Sequence, residues 1–156
     1  MRVHVCAVGR LRAGPERELI SDYLTRFDRT GRNLGLGPAH VVEVEDKKGG
    51  GPEAEADLLR RILPKGALTC ALDERGKTVS SPDFAKRLAA WRDAGRQDVA
   101  FVIGGADGIN AEFRGECDHL LSFGKMVWPH MLARVMLSEQ LYRAASILAG
   151  TPYHRV

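Results

Sequence analysis

Residues 99–108 read Val-Ala-Phe-Val-Ile-Gly-Gly-Ala-Asp-Gly, five consecutive apolar residues followed at once by a glycine-rich stretch. An uninterrupted apolar run of this length is typical of a strand covered on both faces, as in the middle of a parallel sheet. The glycine-rich stretch indicates either a tight turn into a helix or a loop whose backbone approaches a ligand closely. This stretch therefore predicts the central strand of an α/β domain and the loop that follows it.

The remainder of the chain alternates between strand-like and helix-like segments. Together with residues 99–103, four further runs predict a sheet of about five strands: residues 3–8, 41–45, 67–72 and 119–123. Apolar residues at helical spacing predict five helices: residues 15–27, 52–63, 81–93, 111–117 and 129 to about 149. Residues 31–38 and 47–51, rich in glycine, are expected to be surface loops. The alternation predicts a parallel sheet flanked by helices in a single domain of residues 1–156.

The composition limits the classes of protein that this chain can represent. With 44% hydrophobic and 28% charged residues, it is not a disordered, collagen-like or disulfide-scaffold protein. No apolar stretch approaches the length of a membrane span, and the first residues already read as a strand, so we expect a cytoplasmic protein. The three cysteines have no metal-ligand spacing, and no metal is expected. The net charge of +3 permits a polyanionic partner without establishing one.

Ligands of parallel α/β sheets bind beyond the carboxyl ends of the strands, which directs attention to three loops. These loops are residues 72–77, 104–108 and 124–128. The second is not a dinucleotide fingerprint, because GxGxxG must follow the first strand of a βαβ unit. The third is not a P-loop, because Met126 stands where Ser or Thr would bind magnesium. The three loops are therefore expected to surround one ligand of another kind.

The last predicted helix and the tail that follows it carry the remaining signals. Apolar residues point in nearly all directions around the helix, which predicts burial on all sides and hence a dimer interface. Glu139 and Arg143 are spaced for an ordinary i, i+4 ion pair, although a role in a site is equally compatible with the spacing. The tail, residues 151–156, is aromatic and cationic, which suits stacking on a base or stabilising an anion, while most tails are inert.

Three sequence strings resemble one family. Residues 101–110 (FVIGGADGIN), 123–147 (FGKMVWPHMLARVMLSEQLYRAASI) and 152–154 (PYH) are similar to the small bacterial ribosomal-RNA methyltransferases of the SPOUT class. The likeness is strongest to the RlmH type, which methylates N3 of a pseudouridine in large-subunit ribosomal RNA. The resemblance extends over the whole chain. It implies a deep trefoil knot in the C-terminal part of the sheet, a homodimer, and action on the assembled ribosome.

The resemblance also implies a cofactor and the residues that hold it. S-adenosylmethionine would be bound by the last residue of the third strand, by two residues after the fourth, and by the last residue of the fifth with the five that follow it: Leu72, Gly104, Gly105, Phe123, Gly124, Lys125, Met126, Val127 and Trp128. Gly124 and Val127 stand where the family commonly has Ser and Thr, and residues 106–107 where it commonly has Pro-Glu. A hydroxyl contact to the cofactor is therefore expected to be missing here.

The same resemblance identifies candidate catalytic residues. Arg143, Tyr153 and His154 are expected to act on the base, with Arg134 or His130 as further cationic candidates. His154 would either accept the N3 proton or stack on the base. Two alternatives stay open: a SPOUT methyltransferase acting on transfer RNA or another ribosomal position, and a ribosome-associated binding factor without turnover.

Overall fold

The computed structural model describes residues 1–155 and is built around five parallel strands. The strands are β1 (Arg2–Val8), β2 (Ala39–Val44), β3 (Leu68–Lys77), β4 (Asp98–Ile103) and β5 (His119–Leu121). Their order in the sheet is β2-β1-β4-β3-β5, so the apolar run quoted above forms the central strand, as predicted. The predicted fold class is confirmed. Val156, the last residue of the predicted domain, lies outside the described residues.

Helices cover both faces of the sheet. They are α1 (Pro15–Gly31), α2 (Gly51–Ile62), α3 (Ser81–Asp93), α4 (Ala111–Glu116) and α5 (His130–Ala149). Alternate residues of each strand point to opposite faces, so two separate cores form. One core packs the strands against α1, α3 and α5, and the other packs them against α2 and α4.

Two predicted loops are in fact structured. Residues 31–38 were expected to form a loop, but α1 continues to Gly31 and a short 3-10 helix follows at Arg32–Leu34. Glycine fits the end of α1 because a Cβ there would lie 2.6 Å from the carbonyl oxygen of Leu36. The predicted loop of residues 72–77 belongs to β3, which pairs with β5 through both Leu72 and Lys77. The intervening residues form an irregularity in the strand, which apolar periodicity could not reveal.

The predicted burial of α5 is only partly correct. Leu137 and Leu141 are fully buried by the chain's own core, whereas Leu132 is exposed, so one monomer encloses much of the helix. The helix also buries a charge: Arg134 is inaccessible, and its Nη1 donates to Glu43 Oε2 at 2.6 Å. Its Nη2 donates to the carbonyl oxygens of Val8 and Gly9 at the end of β1. These contacts fix the start of α5 against β1.

The position of Arg134 also defines the path of the chain. β5 lies at one edge of the sheet, and β4 and β3 separate it from β1. Residues 122–133 must therefore cross the carboxyl ends of two strands before Arg134 meets β1. A knotted chain requires such a crossing, and the knot itself stays a prediction.

The cysteines behave as small apolar residues. Cys6 and Cys70 are buried, and burial raises the pKa of each thiol to about 12, which removes thiolate reactivity at neutral pH. No helix within residues 1–155 is both long enough and apolar enough to cross a bilayer.

Candidate functional site

The three segments predicted to bind the cofactor follow three neighbouring strands. β4, β3 and β5 lie side by side, and the register pairs Ala71 with Val102 and Leu72 with Leu121. The backbone therefore leaves the regular ladder of β3 after Leu72, and it leaves the sheet at Gly104 after β4 and after Leu121 in β5. The three strands are neighbours as sheet geometry predicted, whereas the convergence of the three segments on one ligand stays a prediction.

A cavity of about 470 Å³ lies beside the end of β5. Its wall is formed by residues 78–81, residues 121–123, the middle of α5 and two side chains of α1. The lining combines apolar groups such as Phe84 and Val135 with the hydroxyl groups of Ser80 and Ser81 and the carboxylate of Glu139. Its size lies within the range of roughly 300–1,000 Å³ that is usual for small-molecule sites.

Only some of the predicted cofactor residues lie near this cavity. Phe123 lines it, and Leu72 packs against the core beneath it. The next residues leave the protein body: Met126 and Val127 are 74% and 86% exposed, and Trp128 is 41% exposed. Neither Gly104 nor Gly105 lines the cavity. Of the predicted set, Phe123 alone is in its wall.

The glycine-rich turn after β4 requires glycine at the first of its two leading positions. A Cβ on Gly104 would lie 2.8 Å from the carbonyl carbon of Gly108 and from a side-chain carbon of Ile109. A Cβ on Gly105 would lie 2.8 Å from Glu55 Oε2. The tight turn thus accounts for Gly104. At Gly105 the added Cβ would meet the end of a flexible side chain on α2 and not the turn.

The loop after β5 contains a hydroxyl that sequence reasoning missed. Ser122 is buried, and its Oγ donates to the carbonyl oxygen of Gly124 and accepts from the amide N–H of the same residue, each at 3.1 Å. Gly124 has a φ of +110°, a region that favours glycine over serine. Ser122 also lines the cavity, so a hydroxyl is present close to the position where the resemblance expected one.

The predicted catalytic residues come together around Glu139. Its Oε1 accepts hydrogen bonds from Arg143 Nε at 2.9 Å, Arg143 Nη2 at 2.5 Å and Tyr153 Oη at 3.0 Å. Arg143 Nη1 lies 3.2 Å from His154 Nδ1. The Glu139 carboxylate therefore binds Arg143 and Tyr153 directly and reaches His154 through Arg143, and it also lines the cavity.

Aromatic contacts reinforce this group. The Arg143 guanidinium lies 4.8 Å from the centre of the Tyr153 ring. The centres of the Tyr142 and Tyr153 rings are 4.6 Å apart. Burial raises the pKa of Tyr153, and the hydrogen bond to Glu139 raises it further, so the phenol keeps its proton. The Glu139 carboxylate likewise raises the pKa of Arg143.

Glu139 is in turn tied to α3. Gln140 Nε2 donates to Glu139 Oε2 at 3.0 Å, and Ser81 Oγ donates to Gln140 Oε1 at 2.7 Å. Both oxygens of the carboxylate are therefore occupied. Only the i, i+4 spacing of Glu139 and Arg143 pointed to this network, because nothing in the sequence shows where the tail turns.

The two further cationic candidates lie elsewhere. Arg134 is buried against β1 and neutralised by Glu43, so it is not available to stabilise an anion. The His130 ring faces Gly9, where a Cβ would lie 3.6 Å from Nε2. Burial and the nearby Arg134 lower the pKa of His130. Both residues therefore lie apart from the tail, because α5 turns them toward β1.

Within residues 1–155, no group of three or more His, Cys, Asp or Glu side chains could hold a metal ion. The arrangement offers instead a fixed guanidinium, an imidazole and a protonated phenol, joined through Glu139 to the wall of a small-molecule cavity. Such groups can bind a planar base and stabilise negative charge on it.

Comparison with known proteins agrees with this geometry. Residues 1–154 match the family described as "Predicted SPOUT methyltransferase". The chain is 73% identical to the ribosomal RNA large subunit methyltransferase H of Ruegeria sp. (strain TM1040) and 74% identical to that of Dinoroseobacter shibae, over the full length of both. A probable methylase family protein from Haemophilus influenzae Rd KW20 shares the fold, with a TM-score of 0.50 and 13% identity over 99% of this chain and 70% of that one. The chain therefore belongs to the SPOUT methyltransferase family.

Proposed function

We propose that this chain transfers a methyl group from S-adenosylmethionine to large-subunit ribosomal RNA. The observation that carries the proposal is Glu139, which lines the 470 Å³ cavity and also binds Arg143 and Tyr153, with His154 in contact with Arg143. The full-length relatives named as large-subunit ribosomal RNA methyltransferases support the same activity.

The residues at the carboxyl edge fit such a cofactor. The cavity offers apolar walls for a purine and hydroxyl groups for a ribose. Phe123 and Ser122 line the cavity and would contact the cofactor there, whereas Leu72, Gly104, Gly105 and residues 124–128 lie outside its wall and stay a prediction. When bound, the cofactor supplies a methyl group on a sulfonium, which is already activated for transfer to a nucleophile.

The protein's own task is to present the nucleophile and stabilise its charge. An imide nitrogen such as N3 of pseudouridine is nucleophilic once it has lost its proton, and the resulting anion spreads over the neighbouring carbonyl oxygens. The Arg143 guanidinium is fixed by two hydrogen bonds to Glu139, so it can stabilise that anion without reorganising. The Tyr153 ring packs against the guanidinium and keeps it in place.

We propose further that the methyl group goes to N3 of a pseudouridine on the assembled ribosome, and that the enzyme is a cytoplasmic homodimer. The modest net charge of +3 supports recognition of a composite ribosomal surface over binding of free RNA. The exposed apolar side chains of Met126, Val127 and Leu132 support association with a second copy. Light scattering on the purified chain measures the mass directly, and a monomer at micromolar concentration would exclude the homodimer.

Transfer of a tritium-labelled methyl group tests the activity. Purified large subunits and ribosomes, from a strain that lacks the gene for this chain, are incubated with labelled cofactor, and the label is mapped to a nucleotide. Label on N3 of a pseudouridine in assembled ribosomes is expected. Label on transfer RNA alone would point to another SPOUT substrate, and cofactor binding without any label would point to a binding factor.

Deletion of residues 153–156 tests the contribution of the tail. The deletion removes Tyr153 and His154 but leaves the strand ends, so methyl transfer should be lost while calorimetry still detects cofactor binding. Unchanged turnover in the truncated chain would exclude a catalytic tail.

A further inference from the structure

The contact between Arg143 and His154 restricts the protonation state of the histidine. Arg143 Nη1 and His154 Nδ1 are 3.2 Å apart, within hydrogen-bonding distance. A guanidinium has five N–H donors and no acceptor, and it stays charged in proteins. The N–H of Arg143 must therefore donate, and His154 Nδ1 must accept.

This assignment determines the tautomer. A neutral imidazole carries one proton, and when Nδ1 accepts a hydrogen bond that proton resides on Nε2. A protonated His154 would set Nδ1–H against an Arg143 N–H, donor against donor, and the contact would be lost. While the contact persists, His154 is neutral and presents Nε2–H as a donor.

Glu139 fixes the guanidinium that imposes this state. Two N–H groups of Arg143 bind Glu139 Oε1, which leaves Nη1 facing the tail. Tyr153 donates to the same Oε1, and its ring covers the guanidinium. The Arg143 side chain therefore has little freedom to turn Nη1 away from His154.

We propose that Glu139 is a positioning residue that, through Arg143, holds His154 as the Nε2–H tautomer, so that His154 donates a hydrogen bond to a carbonyl oxygen of the target base. This inference rests on the proposed function. In the reaction the N3–H bond breaks and its proton passes to water, and Nε2–H of His154 and Arg143 stabilise the imide anion that results. The lone pair of the nitrogen would then form the bond to the methyl carbon while the bond from that carbon to the sulfonium sulfur breaks, and the electron pair of that bond would stay on the sulfur as a neutral thioether. His154 is then an oxyanion donor and does not take up the proton.

Nitrogen NMR of the imidazole side chains tests the tautomer on the protein alone. The chain has five histidines, and loss of one set of signals in His154→Ala assigns His154. In the unmodified chain, Nδ1 of His154 should show the shift of an acceptor nitrogen and Nε2 that of a protonated one. In Glu139→Gln the tautomers should mix, because the neutral amide holds the guanidinium less firmly.

Glu116→Gln is the matched control, because it weakens another bidentate arginine contact, that of Arg60, on the opposite face of the sheet. It should leave the His154 signals unchanged. A proton on Nδ1 of His154 in the unmodified chain, or identical spectra for Glu139→Gln and the unmodified chain, would overturn the proposal. If Glu139→Gln unfolds, Arg143→Met removes the same donor and should also mix the tautomers.

Kinetics of two amide variants test the role of His154 in turnover. Glutamine places an N–H donor near the position of Nε2, whereas asparagine places its amide near Nδ1, and neither can accept the N3 proton. A donor role predicts that His154→Gln keeps turnover within about 10-fold while His154→Asn loses about 100-fold or more. Equal losses of roughly 100-fold or more in both variants would identify a proton acceptor.

The two experiments separate the inference from the proposed function. If the unmodified chain transfers no methyl group to ribosomes, the proposed function fails, and the NMR spectra still decide whether Glu139 controls the tautomer. If the chain is active and the spectra show no tautomer preference, only the inference fails.

Discussion

Two clusters of a carboxylate, an arginine and a histidine lie at opposite ends of the strands, one at the carboxyl edge of the sheet and one at the amino edge. They differ in which group the histidine contacts. At the carboxyl edge, Glu139 binds Arg143 through Nε and Nη2, and the guanidinium meets His154. At the amino edge, Asp98 binds Arg2 through Nε at 2.7 Å and Nη2 at 2.9 Å. There, however, the histidine meets the carboxylate.

The amino-edge cluster extends across three strands. His4 Nε2 lies 2.7 Å from Asp98 Oδ1, and His4 Nδ1 lies 3.0 Å from His40 Nε2. The Arg2 guanidinium and the His4 ring hold the pKa of Asp98 at about 2, well below its ordinary value. An imidazole bound to a carboxylate can gain a proton and keep its partner, whereas one bound to a guanidinium loses its partner when it gains one. The contact made by the histidine, and not the residue types present, decides its chemistry.

Lysine in place of each arginine should give the largest contrast between the two edges. A lysine ammonium cannot form the two-pronged contact with the carboxylate. In Arg143→Lys the donor to His154 is misplaced, so turnover on ribosomes should fall by about 100-fold. Arg2→Lys is the matched variant and should keep full turnover. Methyl-transfer rates measure both, and equal turnover in the two variants would show that the carboxyl edge is structural only.

Loss of the amino-edge carboxylate should affect stability and leave catalysis intact. The Asp98 side chain is only 12% exposed and accepts charged hydrogen bonds from Arg2, so Asp98→Asn should reduce the free energy of unfolding by about 2 kcal/mol. Urea denaturation at pH 7 measures the change. Glu116→Gln, at an exposed arginine contact, should have far less effect on the urea midpoint. An Asp98→Asn variant as stable as the unmodified chain would show that the amino-edge cluster does not stabilise the fold.

The difference between the two edges also explains what the sequence could predict. The spacing of Glu139 and Arg143 places both on one side of a helix, so their contact follows from periodicity. Gly150, in the left-handed conformation with φ +72°, ends that helix and turns the chain, and only the structure shows that Tyr153 returns to Glu139. Helical periodicity therefore predicts the contact between Glu139 and Arg143, whereas the positions of Tyr153 and His154 depend on the direction of the turn at Gly150.

The amino-edge cluster could not be predicted at all. Asp98 is 94 residues from His4, and the contact depends on the parallel register that pairs Arg2 with Asp98 and His4 with His40. Sequence alternation shows which residues share a face but not which strands are neighbours. The central strand, by contrast, was predictable, because an apolar run covered on both faces leaves a signal within the segment itself.

Acid unfolding should report the Asp98 contact. A carboxylate with a folded pKa of about 2, below its value in the unfolded chain, contributes stability that is complete above about pH 4. That contribution is lost as the pH falls from about 4 toward 2, because the unfolded state takes up the proton first. The stability of Asp98→Asn should therefore depend less on pH in this window. Parallel pH profiles for the two proteins would contradict the assignment.

The smallest effect should come from the outer histidine of the same cluster. His40 is partly exposed, and its pKa is lowered by burial, by His4 and by Arg2, while Asp28 and Asp98 act in the opposite direction. A lowered folded pKa means that the unfolded chain binds the proton more readily, so stability is present above about pH 6.5 and decreases as the pH falls. Because water screens this site, the loss should be about 0.5 kcal/mol or less. In His40→Gln the urea midpoint should depend less on pH between about pH 7 and 5, and methyl transfer should not change. A midpoint that depends more steeply on pH in the variant would mean that His40 gains its proton on folding.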